Sequence, residues 1–248
     1  MSPAAGPLVR RRHGSRVGDL DRAHFVVAVQ NHDQVGNRAR GDRFGTLLAP
    51  EAQRLACGLL LLSPCVPLLF MGEEYGETRP FPFFCSFGDA GLIEAVRRGR
   101  REEFAALAFQ WGSEIPDPQE PATFASAKLS WQWPAGSPQA GLRRWYEDLL
   151  AARRKWPPLR DRGYTFTSLT LEREAAMLML TRGTGDNLVA CANLTAESRA
   201  FRPLSPDSRP LLLSSAEQRY GGPHAPGEPW QRLYPYELAL FGNREWLR

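Results

Sequence analysis

The chain is 248 residues long, with 43% hydrophobic and 23% charged residues and a formal net charge of +4. That length allows one large domain or two smaller ones with a substantial core, and the composition is that of an ordinary globular protein rather than a fibrous or disordered one. The basic excess is small and dispersed, densest at Arg10-Arg11-Arg12 and around Arg97-Arg98 and Arg100-Arg101, with no nucleic-acid-reading motif beside it, so no nucleic-acid partner is expected.

Residues 1–24 are polar, Arg-rich and irregular, and the start MSPAAGPLVRRRH lacks the apolar run of a signal peptide, which points to a cytoplasmic location. FVVAVQ (25–30) is β-branched and apolar, and predicts a strand buried on both faces. It runs into the polar stretch NHDQVGNRARGDRFG (31–45). PEAQRLACGLLLLS (50–63) predicts a largely buried helix with Pro50 in its first turn. VPLLFMG (66–72) predicts a second buried strand, followed by the polar loop EEYGETRP (73–80). The apolar run 55–71 is broken by Pro64 and Pro67 into pieces too short to cross a bilayer, so no membrane partner is expected. Strand, polar loop, helix, strand, polar loop is the order of an α/β unit with a parallel sheet.

A charged amphipathic helix is predicted over 91–108, a Pro- and Trp-rich loop over 111–136 and a long amphipathic helix over 139–155. The stripe of that last helix is Leu142, Trp145, Tyr146, Leu149 and Leu150, and Pro157-Pro158 are expected to stop it. After Leu159 the texture changes to short strand-like runs separated by turn formers, which predicts a small antiparallel β domain, a sandwich. The expected organisation is an irregular segment over 1–24, an α/β part over 25–158 and a β domain over 159–248. Cys57, Cys65, Cys85 and Cys191 form no C-x-x-C pair and have no histidine at ligand spacing. Cys57, Cys65 and Cys191 sit in apolar surroundings and read as reduced, buried thiols, and neither metal nor cofactor is expected.

Functional groups of parallel α/β architectures sit in loops at the C-terminal ends of strands. Two such loops exist here. Asn31-His32-Asp33-Gln34 offers a carboxylate, an imidazole and two amides, a set suited to the adjacent hydroxyls of a sugar. A carboxylate there also favours the positive charge of an oxocarbenium-like transition state. The same residues are also common turn formers. Glu73-Glu74-Tyr75-Gly76 carries two adjacent carboxylates, which read more readily as loop-organising groups than as catalysts.

FVVAVQNHDQVGN resembles the strand ending in Asn-His-Asp that is the seventh barrel strand of the α-amylase superfamily, and VPLLFMGEEYG resembles the eighth strand and its loop. NHDQVGNRARGDR, PLLFMGEEYGETRPFPFF, EAVRRGRREEF and IPDPQEPATFASAKLSW together resemble the maltooligosyltrehalose trehalohydrolases. The resemblance implies the C-terminal portion of a (β/α)8 barrel, its last two strands and helices, followed by the β domain. It implies hydrolysis of the α-1,4 bond of maltooligosyl trehalose or a related α-glucan. It makes Asp33 the transition-state-stabilising carboxylate and His32 the histidine that hydrogen-bonds the same sugar. Asn31, Gln34 and Asn37 help bind or shape the site, and Arg38 braces the loop through an ion pair. Glu73 is a loop organiser that also contacts substrate; Tyr75, with Phe81, Phe83 and Phe84, is an aromatic wall. The family's nucleophile, in a strand followed by Arg-x-Asp, and its acid/base, at a strand end in Glu, have no match here. Retaining glycosidases need both, about 5–5.5 Å apart. The chain is therefore expected to be inactive alone and to require an N-terminal half-barrel. Two other readings stay open: a branching or debranching enzyme fragment, and a non-catalytic carbohydrate-binding or split-barrel subunit.

Overall fold

A computed structural model describes residues 20–111, 115–160, 167–201, 209–225 and 232–248. Most of the expected irregular segment, residues 1–19, and the start of the strand-like run at Tyr164 lie outside them. Strands β1 (Val26–Val27) and β2 (Val66–Pro67) pair in parallel. Their ladder is held by Val66 N–H donating to Phe25 O at 2.9 Å and Leu68 N–H donating to Val27 O at 2.8 Å. Between them run α1 (His32–Gly36), α2 (Phe44–Leu47) and α3 (Pro50–Leu62), which makes a βαβ unit. Helix α3 starts on Pro50, whose missing N–H costs nothing in the first turn, and its cap Ser63 stands directly before Pro64.

The two parallel strands are shorter and barer than their sequences predict. FVVAVQ yields a two-residue ladder, and Val26 is 64% exposed. Leu68 and Met71 are exposed as well. Among the described residues each strand has a neighbour on one side only, so nothing covers the second edge. Apolar sequence alone does not bury a strand.

Helix α4 (Ala90–Trp111) follows, then α5 (Pro121–Ser126), α6 (Pro138–Lys155) and α7 (Pro157–Arg160). The segment expected to be loop throughout 111–136 thus contains a helical turn, α5, with Pro121 at its first position. Pro157 does end α6, yet it also opens α7, because a φ near −65° suits a first helical residue. In α6 the Ser137 hydroxyl caps the N-terminus by accepting from Ala140 N–H at 3.2 Å. Its buried face is Leu142, Trp145, Tyr146, Leu149 and Ala152.

The β region contains β3 (Thr167–Glu172), β4 (Met177–Arg182), β5 (Leu188–Asn193), β6 (Arg199–Ala200), β7 (Leu211–Ser214), β8 (Arg232–Leu233) and β9 (Leu238–Phe241). Five of them form an antiparallel sheet in the order β3-β4-β5-β9-β7, and β6 pairs with β8 in a separate ladder. Side chains alternate cleanly across the sheet. Leu180, Leu188, Ala190, Ala192, Leu238 and Leu240 face α3 and α6. Met179, Val189, Cys191, Ala239 and Phe241 face Phe201 and Leu233, beside the β6–β8 ladder. A bulge at Leu211/Leu213 in β7 shifts the register and brings Leu212 and Leu213 together into the helix-facing core. That core is common to the helices and the sheet: Leu55, Cys57, Leu61 and Leu62 of α3 share it with Trp145 and Leu149 of α6. Trp145 Nε1–H donates to Arg54 O at 2.9 Å, so the largest buried ring also satisfies its polar atom.

Candidate active site

The chain leaves β1 through the buried Gln30 and turns at Asn31, whose extended backbone starts α1. The Asn31 side chain accepts from Gln34 N–H at 2.8 Å, a side-chain cap that fixes the loop. This cap places His32 and Asp33 in the first turn with their side chains 70% and 74% exposed and His32 Nε2 3.2 Å from Asp33 Oδ1. Gln34 and Asn37 are exposed beside them. Arg38 Nε lies 3.7 Å from Asp42 Oδ2, four residues further on. The other side of the loop is anchored: Val35 is buried, and Gly36 O accepts from Arg100 Nη2 of α4 at 3.2 Å. Gly41 has φ +70°, its O accepts from Phe81 N–H at 2.8 Å, and a Cβ there would meet Pro82 N at 2.2 Å. Only glycine fits that crossing.

The second loop behaves differently. Glu73–Tyr75 is a 3-10 turn bracketed by Gly72 and Gly76, both in the left-handed region. Glu73 and Tyr75, expected to contact sugar, are interior. Tyr75 donates to Glu77 Oε2 at 2.9 Å, and its ring packs against those of Trp131 and Trp133. Glu73 accepts from Tyr146 OH of α6 at 3.2 Å. Burial pushes the Glu73 carboxyl up to about 7 against the hydrogen bonds donated to it. Glu77 is the hub that the sequence reading missed. It is buried, and it accepts from the Tyr75 hydroxyl and from the backbone N–H groups of Thr78, Arg79 and Ser130. Burial alone would raise its carboxyl, but these donors outweigh it and hold the group below its usual value.

Gln30, Arg43 and Tyr146 were missed as well. Gln30 Oε1 accepts from Phe44 N–H at 3.1 Å, which holds α2 to the end of β1, and Arg43 Nη1 donates to Met71 O at 2.7 Å, which ties the first loop to the second strand's end. The Arg43 guanidinium also lies over the Phe70 ring at 4.7 Å. Phe81 packs edge-on against Phe70 and Phe84, while Phe83 is exposed beneath Arg100. The aromatic wall is thus chiefly internal packing. The two loops are joined through Gln30, Arg43, Gly41 and Phe81; the Asn31–Asn37 segment presents its carboxylate, imidazole and amide groups outward, while the second loop exposes Thr78 and Arg79. The carboxylate, imidazole and amides of the first loop can bind vicinal hydroxyls and stabilise positive charge at a ring carbon.

No family model matches the chain. Curated relatives do match it. A malto-oligosyltrehalose trehalohydrolase of Saccharolobus solfataricus is 49% identical over 123 residues, 50% of this chain and 20% of that protein. One of Arthrobacter ramosus is 45% identical over 150 residues, 60% of this chain and 26% of that protein. One of Mycobacterium tuberculosis is 37% identical over 190 residues, 76% of this chain and 32% of that protein. The chain therefore spans between a fifth and a third of the length of these relatives. Among solved structures, a Salmonella typhimurium protein described as a candidate alpha amylase superposes with a TM-score of 0.71 at 33% identity, over 90% of this chain and 36% of that one. The trehalulose synthase of Pseudomonas mesoacidophila MX-45 superposes at 0.51 with 19% identity, over 88% of this chain and 42% of that one, a likeness of fold alone. The Asn-His-Asp loop, the βαβ unit beneath it and these relatives lead to one conclusion: over the residues it matches, the chain is similar to a part of the malto-oligosyltrehalose trehalohydrolases.

Proposed function

We propose that the chain supplies the Asn31-His32-Asp33 loop to a glycosidase that cleaves the α-1,4 bond of maltooligosyl trehalose and releases trehalose. Residues 25–158 then contribute the last two β/α units of a (β/α)8 barrel, and 159–248 the β domain that follows. The nucleophile and the acid/base come from polypeptide outside this sequence, as an N-terminal half-barrel. The observation that carries the reading is the outward-facing His32–Asp33 pair on a loop whose backbone is capped by Asn31 and anchored by Arg100. In this role Asp33 carries the electrostatic load: its carboxylate faces the sugar ring as positive charge develops at the anomeric carbon, and His32 hydrogen-bonds the same ring. Asn31, Gln34 and Asn37 complete the polar rim, with Arg38 bracing it. Glu73 and Tyr75 hold the loop from inside.

The test is co-expression with a polypeptide carrying the first six barrel strands of the Arthrobacter ramosus relative, followed by assay on maltooligosyl trehalose. Trehalose release is expected from the complemented pair and not from the chain alone. Asp33→Asn in the pair is expected to lower kcat by roughly 10²–10³-fold, the size of losing one preorganised electrostatic group. Turnover by the chain alone, or an undiminished Asp33→Asn pair, overturns the proposal. Branching of plain α-glucan by the pair would transfer it to the branching enzymes, and sugar binding without turnover to a binding subunit.

A further inference from the structure

Between the two loops lies a small cavity of about 10 Å³, lined by Gln30, Arg43, Gln53, Glu73, Glu77 and Tyr146 among others. Its walls come from four places in the chain: the end of β1, the start of α2, the α3 helix and the 73–77 turn, closed by α6. Glycines make so close an approach feasible. A Cβ on Gly45 would meet Glu77 O at 2.2 Å, and one on Gly76 would meet Gln53 Oε1 at 2.8 Å. The polar atoms on this cavity are unevenly satisfied. Arg43 Nη1 is used on Met71 O, but Arg43 Nε and Nη2 have no hydrogen-bond partner among the described residues, and neither has Glu73 Oε2. All three are buried. Buried groups left in this way cost about 1–3 kcal/mol each, more when charged, and native proteins rarely tolerate them.

We infer that the cavity is a binding site for one water molecule, which accepts from the Arg43 guanidinium and donates to the Glu73 carboxyl. Size decides the class of ligand first. A cavity needs about 10–15 Å³ to hold a water, so this one admits a single water and nothing as large as a sugar or a hydrated ion. Chemistry decides it second. The cavity is lined by Arg43 and Glu73, each with a buried atom that has no hydrogen-bond partner among the described residues. A bare cation would face the guanidinium, and chloride would face the carboxyls of Glu73 and Glu77. Water alone complements both groups, and it can turn round when Glu73 gains a proton. The bridge ties Arg43, which abuts α2, to the turn that carries Glu73 and onward to Tyr146 of α6. It makes Arg43 and Glu73 positioning residues for the loop that bears Asp33, and it holds whether or not the proposed activity does.

The test has two independent arms on the full chain. A crystal structure at about 1.8 Å or better should show one solvent peak within about 2.7–3.2 Å of both Glu73 Oε2 and a free Arg43 nitrogen. Water-deuteron magnetic relaxation dispersion counts long-lived internal waters in solution. Glu73→Gln keeps an acceptor and should keep the count, whereas Glu73→Leu removes it and should lower the count by one. Direct Arg43–Glu73 contact with the cavity closed overturns the inference. So does a peak with the anomalous signal of chloride, a site without solvent density, or an unchanged count in a folded Glu73→Leu protein.

Discussion

The parallel β1–β2 pair and the antiparallel sheet are built from equally apolar sequence, yet they end in opposite states. In β5 and β9 nearly every residue is buried, because each strand has neighbours on both edges and apolar layers on both faces. In β1 and β2 no residue is fully buried. Helices α3 and α6 commit much of their apolar surface to the sheet rather than to the parallel pair. Cohesion of the described residues therefore resides in the helix–sheet core, and the segment bearing the candidate site is secured by polar ties and close glycine contacts. The difference teaches that apolar sequence is buried only where neighbours flank it: β5 and β9 have them on both edges among the described residues, whereas β1 and β2 have them on one edge alone.

The sharpest way to break that comparison is to truncate one apolar residue in each region. Trp145 is fully buried against Tyr220, and Trp145→Ala should cost about 3–5 kcal/mol. Val26→Ala should change stability by no more than about 0.5 kcal/mol, since the side chain is already in water. Urea unfolding of the two variants measures both. Equal losses would mean that β1 is covered in solution and that the contrast is false.

The joint between the regions is the next place to look, because Glu73 of the site half meets Tyr146 of the core helix. A carboxyl raised from 4.5 to about 7 in the folded protein favours its protonated form there. Its contribution is fully present below pH 4.5 and is lost as pH rises through about 7. The full loss is roughly 3 kcal/mol at 1.36 kcal/mol per pH unit. Glu77 has the opposite sign, since a depressed carboxyl loses its contribution only as pH falls below the ordinary carboxylate range. Unfolding free energies at pH 5 and pH 8 therefore isolate Glu73. The wild-type chain should weaken over that interval, and Glu73→Gln should flatten the profile. A flat wild-type profile would place Glu73 in contact with bulk solvent.

What the sequence revealed follows the same division. Helices α3 and α6 were legible because their patterns are long and periodic, and the Asn31–Asn37 loop was legible because a polar cluster follows an apolar run. Burial of FVVAVQ was misjudged because burial belongs to neighbours, not to the strand. Helix α5 escaped notice because six residues carry too little periodicity, although Pro121 marks its start. The network of Gln30, Arg43, Glu77 and Tyr146 was hidden because its members lie far apart in sequence and meet only in the fold. Two signals pointed that way: Gln30 is the polar residue at the end of an apolar strand, and Glu77 is a third carboxylate within five residues of Glu73 and Glu74.

The smallest expected effect separates what holds the loop from what the loop is for. Asn31→Ala removes the side-chain cap on α1 and should cost about 1 kcal/mol, with faster hydrogen exchange at the Val35 and Asn37 amides, which bond back to Asn31 and Asp33. Asp33→Asn should shift stability by less than about 0.5 kcal/mol, because its side chain is largely in water and its ion-pair partner, His32, is as exposed as it is. If Asp33→Asn proves as destabilising as Asn31→Ala, the carboxylate is part of the scaffold and its exposure misleads. If it is neutral or mildly stabilising, nothing among the described residues accounts for a carboxylate at that position, and its role lies with whatever binds against the open face of the loop.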